Sequence, residues 1–524
     1  MKKFFWILAC FCWIGVFVWG QENISSTIVL PDVKIVLEGD SSIPLQDQTN
    51  LELSGQEIDF GRVDLSELSR LRKSEYYKVE LTNERKTPSF SLSSFRLFYG
   101  TSENLFSDIT VGKRVDKLNY LVSYLRNSRG SLALSNSRLY NTEFKLDDIN
   151  VDLIFTPSSQ WEVQTEVGYY TRELGLYTNR GALSEQVRYF PAKIGVAFIA
   201  DTYSLFQIGV EGNYLERQHK LLANEYTNQL FYHFSPSFSY EVSWAKDNFL
   251  KIDGAYFYVF QDTLFHEGNF GFLDRLNILS SLSLDVGTRL YFSSRDPFFW
   301  YPLVMMRYRY TQMLVFTLGL EGERQRFLGE RLLEENQYFF VSTVRRDRWS
   351  PQIGIQYLPA ENFSIKGNAF YHLYQVYANP VYLPERDMFT YEEKTNVSLL
   401  AIQGSLDWTL FKGLLWKNTL TYTLAFSQDI YEIESVLFSS FLEWKLQEIG
   451  LTATLRSRYY PHVQLANGAT LPDAVILDLE LSQKLGRDFY LEFAVDNILN
   501  QNHFQRPSLP EGGIQVLAGL RILL

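Results

Sequence analysis

Ile514-Gln515-Val516-Leu517-Ala518-Gly519-Leu520-Arg521-Ile522-Leu523-Leu524 reads as a β-strand with one unbroken apolar face. Ile514, Val516, Ala518, Leu520, Ile522 and Leu524 share that face, because successive side chains of a strand point to opposite sides. Gln515, Gly519 and Arg521 lie on the other, with Leu517 and Leu523 as exceptions. In a water-soluble sheet such a strand invites aggregation. In a membrane-spanning barrel the last strand must have this form, since it pairs with the first and turns its apolar face to lipid.

The pattern recurs upstream. Trp161, Val163, Thr165, Val167 and Tyr169 alternate with Glu162, Gln164, Glu166 and Gly168. Phe206, Ile208, Val210, Gly212 and Tyr214 alternate with Gln207, Gly209, Glu211 and Asn213. Phe363, Ile365, Gly367, Ala369 and Tyr371 alternate with Ser364, Lys366, Asn368 and Phe370, and Val475, Leu477, Leu479 and Leu481 with Ile476, Asp478, Glu480 and Ser482. Period two with one apolar face marks a half-buried sheet. Connections between these stretches alternate in length. Residues 156–159, 245–248, 359–362 and 485–488 read as tight turns, whereas 173–188, 216–228, 326–337, 376–396 and 461–473 read as long polar loops. Barrels show this asymmetry, with short periplasmic turns and longer external loops. The expected fold is all-β: a transmembrane antiparallel up-and-down β-barrel over residues 88–524, of roughly 18 to 22 strands.

Composition agrees. Aromatic residues make up 16% of the chain, with 33 Tyr and 40 Phe, against a charged fraction of 21%. That is too aromatic for disorder and suits a barrel with aromatic girdles at both membrane interfaces. Lys2 and Lys3, the apolar run from Phe4 to Trp19, and the small residues Val18 and Gly20 have the form of a secretory signal peptide over residues 1–20. Cys10 and Cys12 fall within it, so the mature chain is expected to carry no disulfide or thiolate metal site. Losing the two lysines takes the formal charge from −11 to −13, which gives no electrostatic case for nucleic acid. Residues 21–87 are rich in Ser, Asp and Glu and too few for a substantial core. They are expected to form a periplasmic segment or partial plug.

Chemistry is sparse. The six histidines have no metal-ligand spacing, and neither a Gly-x-Ser-x-Gly elbow nor a phosphate-cradling glycine loop occurs. No catalytic, cofactor or metal site is expected, and the protein is read as a non-enzyme. Asp148, Asn150 and Asp152 share one face of a strand and are the candidate acidic lining of a lumen, opposite Ile149, Val151 and Leu153. Phe144 and Leu146 ahead of them suggest a β-bulge at Asp147-Asp148. Arg456 and Arg458 form a basic counterpart, and opposed stripes of this kind set a field that selects solutes. Glu385, Asp387, Glu392 and Glu393, with Tyr382, Phe389 and Tyr391 nearby, read as an external loop tip.

The last fifty residues resemble a known family. Phe489-Tyr490-Leu491-Glu492-Phe493-Ala494-Val495-Asp496 runs into Asn497-Ile498-Leu499-Asn500, a Pro- and Gly-containing loop, and the terminal strand. This is similar to the closing strands of TonB-dependent outer-membrane receptors, with their Asn-Leu-Phe-Asn-like turn. Two departures stand out: Leu524 occupies the place where barrel-assembly signals carry an aromatic, and residues 21–87 are too few for the family's full plug. Thr27, Ile28 and Val29 resemble the short box that meets the energising periplasmic partner. The resemblance implies an outer-membrane location, lipid and the barrel-assembly machinery as partners, and passage or uptake of a small-molecule solute. The alternative expectation is a structural or adhesive surface barrel whose loops bind an external ligand.

Overall fold

The computed structural model describes residues 91–523, apart from 131–142, 176–181, 222–225, 327–338, 341–344, 384–387 and scattered shorter gaps. The expected signal peptide, the segment 21–87 and its Thr27-Ile28-Val29 box lie outside the described residues. One 23-stranded sheet accounts for the fold. The two-residue piece Phe339–Phe340 pairs alongside one strand, and the other twenty-two close a ring.

In chain order the ring strands are β1 (Ser91–Gly100), β2 (Asn104–Val115), β3 (Leu118–Arg129), β4 (Phe144–Ser158), β5 (Trp161–Gly175), β6 (Ala182–Ile199), β7 (Ser204–Leu221) and β8 (Tyr226–Ala245). There follow β9 (Asn248–Gln261), β10 (Thr263–Leu279), β11 (Leu282–Ser293), β12 (Phe299–Arg309), β13 (Leu314–Arg326), β14 (Arg345–Ala360) and β15 (Phe363–Leu383). The ring ends with β16 (Met388–Phe411), β17 (Leu414–Ala425), β18 (Val436–Leu446), β19 (Leu451–Tyr460), β20 (Ala474–Lys484), β21 (Phe489–Asp496) and β22 (Gln515–Leu523). Each pairs antiparallel with its neighbours, and β22 closes on β1 from Ser94↔Leu523 to Gly100↔Leu517. Closure leaves no strand edge unpaired, the condition for a sheet in lipid. The fold is therefore a transmembrane up-and-down barrel.

Parity follows the sequence. Phe206, Ile208 and Val210 are exposed on the outer wall, as are Trp161, Ile353, Ile355, Leu491 and Phe493. A wall this apolar is stable only against lipid. Rings pair from strand to strand at one level: Tyr169–Phe190 (4.7 Å between centroids), Phe190–Tyr214 (5.8 Å), Tyr214–Tyr232 (5.2 Å) and Tyr232–Phe260 (6.1 Å). Trp161–Phe198 (4.6 Å) marks the opposite interface, on the side of both described termini. That side carries the short turns and is the periplasmic one.

Two expectations change. The stretches 173–188, 216–228 and 376–396, read as loops, are largely ladder: Thr171↔Arg188, Glu216↔Leu230 and Val376↔Thr395 continue their strands outward. Beyond the girdle the outer wall meets water, so the apolar-out alternation fades while the hydrogen bonds persist. The bulge at Asp147-Asp148 is absent. There β4 stays in register with both neighbours, Asp147↔Arg126 and Asp148↔Tyr170. Leu146 is buried on the same inner face as Asp148, so the phase never shifts.

The seam depends on glycine. A Cβ on Gly519 would collide with the Leu97 carbonyl oxygen, and one on Gly100 with that of Val516. Both obstacles are backbone and cannot swing away. Gly519→Ala is expected to weaken closure by roughly 1–3 kcal/mol, the usual cost of overpacking. The compact form on unheated detergent gels should then convert to the unfolded one at a lower temperature than in the parent.

Candidate functional site

The inner wall is charged and internally paired. Along the seam, Arg96 bridges Glu480 (2.6 Å) and Glu492, Arg521 meets Glu492 (3.3 Å), and Arg456 meets Glu480 (3.0 Å). Arg458 meets Asp478 (2.8 Å). Arg456 and Arg458 thus each face a carboxylate on β20, and their field is local. On β4, Asn150 Nδ2 donates to Asp148 Oδ1 (2.9 Å). Asp152 lies across from Glu166, Glu166 from Lys193, and Lys193 from Glu211, all on the inner face. The structure sets the acidic row on β4, β5 and β7 apart from the arginine network at the seam.

The Asn497–Asn500 turn belongs to this network. Both asparagines are left-handed, each with φ of 51°, a conformation asparagine tolerates better than most residues. Asp478 Oδ1 accepts from the Asn497 amide (2.8 Å), and Asn500 Oδ1 from the Ile514 amide (3.0 Å). The motif fixes how the chain leaves β21 and enters β22.

Beyond the girdle the wall inverts. On β6, Arg188, Gln186 and Ser184 face outward while Tyr189, Val187 and Glu185 are buried inside. Leu174, Glu185 and His219 form one inward cross-strand row, and Arg172, Val187 and Arg217 the next. Glu185 therefore meets both guanidiniums diagonally: Arg172 Nη2 at 2.9 Å and Arg217 Nη2 at 2.7 Å, with His219 Nε2 at 3.2 Å. Burial alone would raise the Glu185 carboxyl, but Arg217, His219 and Arg172 outweigh it and hold it below the ordinary carboxylate range.

Beside these charges and one row toward the membrane the mouth is apolar. Leu174, Val187, Tyr189, Leu215 and Phe231 of β5–β8 pack in one cluster with Ala378 of β15, Tyr391 of β16, and Leu465 in the 461–473 connection. These strands stand on opposite sides of the ring, so the cluster crosses the lumen. The β15–β16 hairpin is covered on a second side, where Tyr374, Tyr377, Val397 and Leu399 meet Ile430 and Ile433. Asn379, buried, pins that connection: its Nδ2 donates to the Asp429 carbonyl (3.3 Å) and its Oδ1 accepts from the Tyr431 amide (3.4 Å). Tyr391, read as a loop-tip residue, lies in the core of the cap, because its hairpin folds over the mouth. Glu392 and Glu393 beside it are exposed; Glu385 and Asp387 lie outside the described residues.

No family model and no curated protein matches the sequence. Solved structures do match in fold. The FrpB iron transporter of Neisseria meningitidis superposes with a TM-score of 0.67 at 11% identity, over 84% of this chain and 83% of that one. The siderophore receptor PirA of Acinetobacter baumannii gives 0.66 at 9%, over 84% and 81%. The ferric enterobactin receptor PfeA of Pseudomonas aeruginosa gives 0.65 at 12%, over 84% and 82%. Antiparallel closure, the outer aromatic rows and these superpositions agree: the chain has the β-barrel fold of these receptors.

Proposed function

We propose that this barrel takes up a small solute across the outer membrane, through a charged lumen that an apolar cap shuts from outside. The carrying observation is the cluster that joins β5–β8 to β15, β16 and the 461–473 connection across the mouth. A freely diffusive pore has no use for such a bridge. A gated uptake barrel does, because the cap excludes other solutes until it is displaced.

The wall below suits this reading. Asp148, Asn150 and Asp152, and the Arg456 and Arg458 pairs, would supply polar contacts along the path once the cap opens. The fold neighbours named for ferric enterobactin, siderophore and iron make a ferric chelate the first solute class to test. An energising periplasmic partner, met through Thr27, Ile28 and Val29, belongs to the same proposal, as does export by the 1–20 leader. No catalytic step is involved.

Uptake of radiolabelled ferric chelates, compared between cells with and without the chain, tests it. Energy-dependent accumulation of at least one chelate only when the chain is present is the expected result. Accumulation of catecholate, hydroxamate and citrate complexes that is the same with and without the chain would remove ferric chelates, and surface binding without internalisation would favour an adhesive barrel.

A further inference from the structure

One sector of the wall is released from its neighbours at the mouth. Among the described residues the β12–β13 ladder ends outward at Leu303↔Glu321, although β12 runs on to Phe299 and β13 to Arg326. The β16–β17 ladder ends at Leu399↔Ala425, with one further bond from the Phe426 amide to the Ser398 carbonyl, while β16 extends to Met388. Between these two edges β13 to β16 stay joined to one another. Phe339–Phe340, from the β13–β14 connection, pairs with Phe389–Thr390 of β16 and ties the two sides of the sector together. A single cross-strand row, Arg324↔Asp347, Asp347↔Val376 and Val376↔Thr395, crosses all four strands. The irregularities gather on it. The β14–β15 register shifts between Asp347 and Arg348, and the Gln375–Asn396 pair drops out of the β15–β16 ladder. Asn396 is left-handed there, with φ of 58° in mid-strand.

At this row β13 leans inside its neighbours. Tyr291, Tyr301 and Glu267 lie on the faces opposite the exposed Phe292, Trp300 and Phe270, so they line the lumen. Arg324 reaches across β12 and β11 to β10. Its guanidinium stands over the Phe299 ring (4.6 Å) and the Tyr291 ring (5.5 Å), and lies 3.5 Å from Glu267. Gly322 permits the approach, since a Cβ there would come 2.6 Å from Tyr301. Asp347 on β14 holds the same guanidinium at 2.9 and 3.1 Å. Bulges and left-handed residues concentrate a change of direction, and a sector with two released edges bends where they align. We propose that the outer ends of β13–β16 form a flap, hinged on the row from Arg324 to Thr395, that Arg324 latches to the fixed wall. Asp347 on the flap and Glu267 on the wall are both buried, and the guanidinium lies between them. Without that cation the two carboxylates repel across the edge. The flap deepens the uptake reading and rests on it, because Ala378 and Tyr391 at its leading side are the cap that shuts the lumen.

Pulsed electron–electron double resonance between nitroxide labels tests the hinge without any solute. Glu393→Cys on the flap and Glu173→Cys on β5, both at exposed positions, carry the labels in a chain with Cys10→Ser and Cys12→Ser. Glu173→Cys with Ser294→Cys, exposed after β11, reports on the fixed wall alone. The parent should show one separation for the flap pair. Arg324→Met should add a longer one and raise its population about tenfold, the effect of losing one charged contact. Asn396→Val should do the same independently, because a β-branched residue resists the left-handed conformation and straightens the strand. Asn396→Gly accepts that conformation and should keep the parental distribution. The wall pair should be unchanged throughout, and unheated gel migration reports that each variant is folded. A single parental separation in both folded variants overturns the hinge. So does an equal spread of the wall pair, which would mean that the whole mouth loosens. Chelate uptake that fails while these distances behave as expected would remove the uptake reading and leave the flap standing.

Discussion

Tyr391→Asp combined with Leu465→Asp is expected to turn a silent barrel into an open pore. Both side chains are buried in the cluster that spans the mouth. Burying a large apolar side chain is worth about 1.5–3 kcal/mol, and a carboxylate left in its place has no partner in the cluster. Two such charges, one on β16 and one on the connection after β19, also repel each other. The strands below remain paired through their ladders, so the cap should part while the barrel stays closed. Planar-bilayer recordings should show steady current steps for the double variant and none for the parent. Cells carrying it should become sensitive to large antibiotics that an intact outer membrane excludes. Tyr391→Phe with Leu465→Met nearly keeps volume and introduces no charge, losing only the Tyr391 hydroxyl; such swaps typically cost under about 1.5 kcal/mol, and the variant should stay silent. A folded double-aspartate variant without current would show that the cap is not what shuts the lumen.

How far the sequence carried this structure depends on where lipid stops. Within the membrane the physics imposes period two, and Trp161 to Tyr169 or Val475 to Ser482 could be assigned to faces by inspection. The terminal strand and the Asn497–Asn500 turn were legible for the same reason, each being fixed by local requirements: an apolar outer face, and two left-handed asparagines. Outside the girdle the rule inverts. Val187 and Tyr189 turn inward because the mouth is dry, and Arg188 turns outward because the surface is wet. Single-strand periodicity then reads as loss of pattern, which is why long ladders looked like loops and Leu146 like a bulge. The inversion itself left a signal: apolar Leu174, Val187 and Leu215 stand on the inner faces of β5, β6 and β7 once the alternation of the membrane part is continued outward. The partners of those faces, Ala378, Tyr391 and Leu465, lie far along the chain, and no local pattern brings them together.

Glu185→Gln should produce the largest loss of stability of any single change at the mouth. The carboxylate is fully buried and gathers Arg172, Arg217 and His219 from the two strands flanking β6. Removing one partner of a buried ionic group leaves the others buried with less compensation, at a cost of roughly 3–5 kcal/mol. The wild-type contribution also has a defined pH window. The folded carboxyl titrates below its ordinary, unfolded value, so its stabilisation is fully present above that value and is lost as pH falls through the lower, folded-state value. Wild-type protein should therefore hold its extracellular strands through the pH range in which ordinary carboxylates protonate, and loosen only below it. The glutamine variant, already without the charge, should lose less between pH 5 and the acid limit. Hydrogen exchange of the outer halves of β5–β7 in detergent, measured against pH, reads both effects, and the membrane-embedded halves serve as the internal reference. Equal protection of wild type and variant at neutral pH would mean that the arginines find other partners when Glu185 is neutral, and that the mouth rests on its apolar cluster alone.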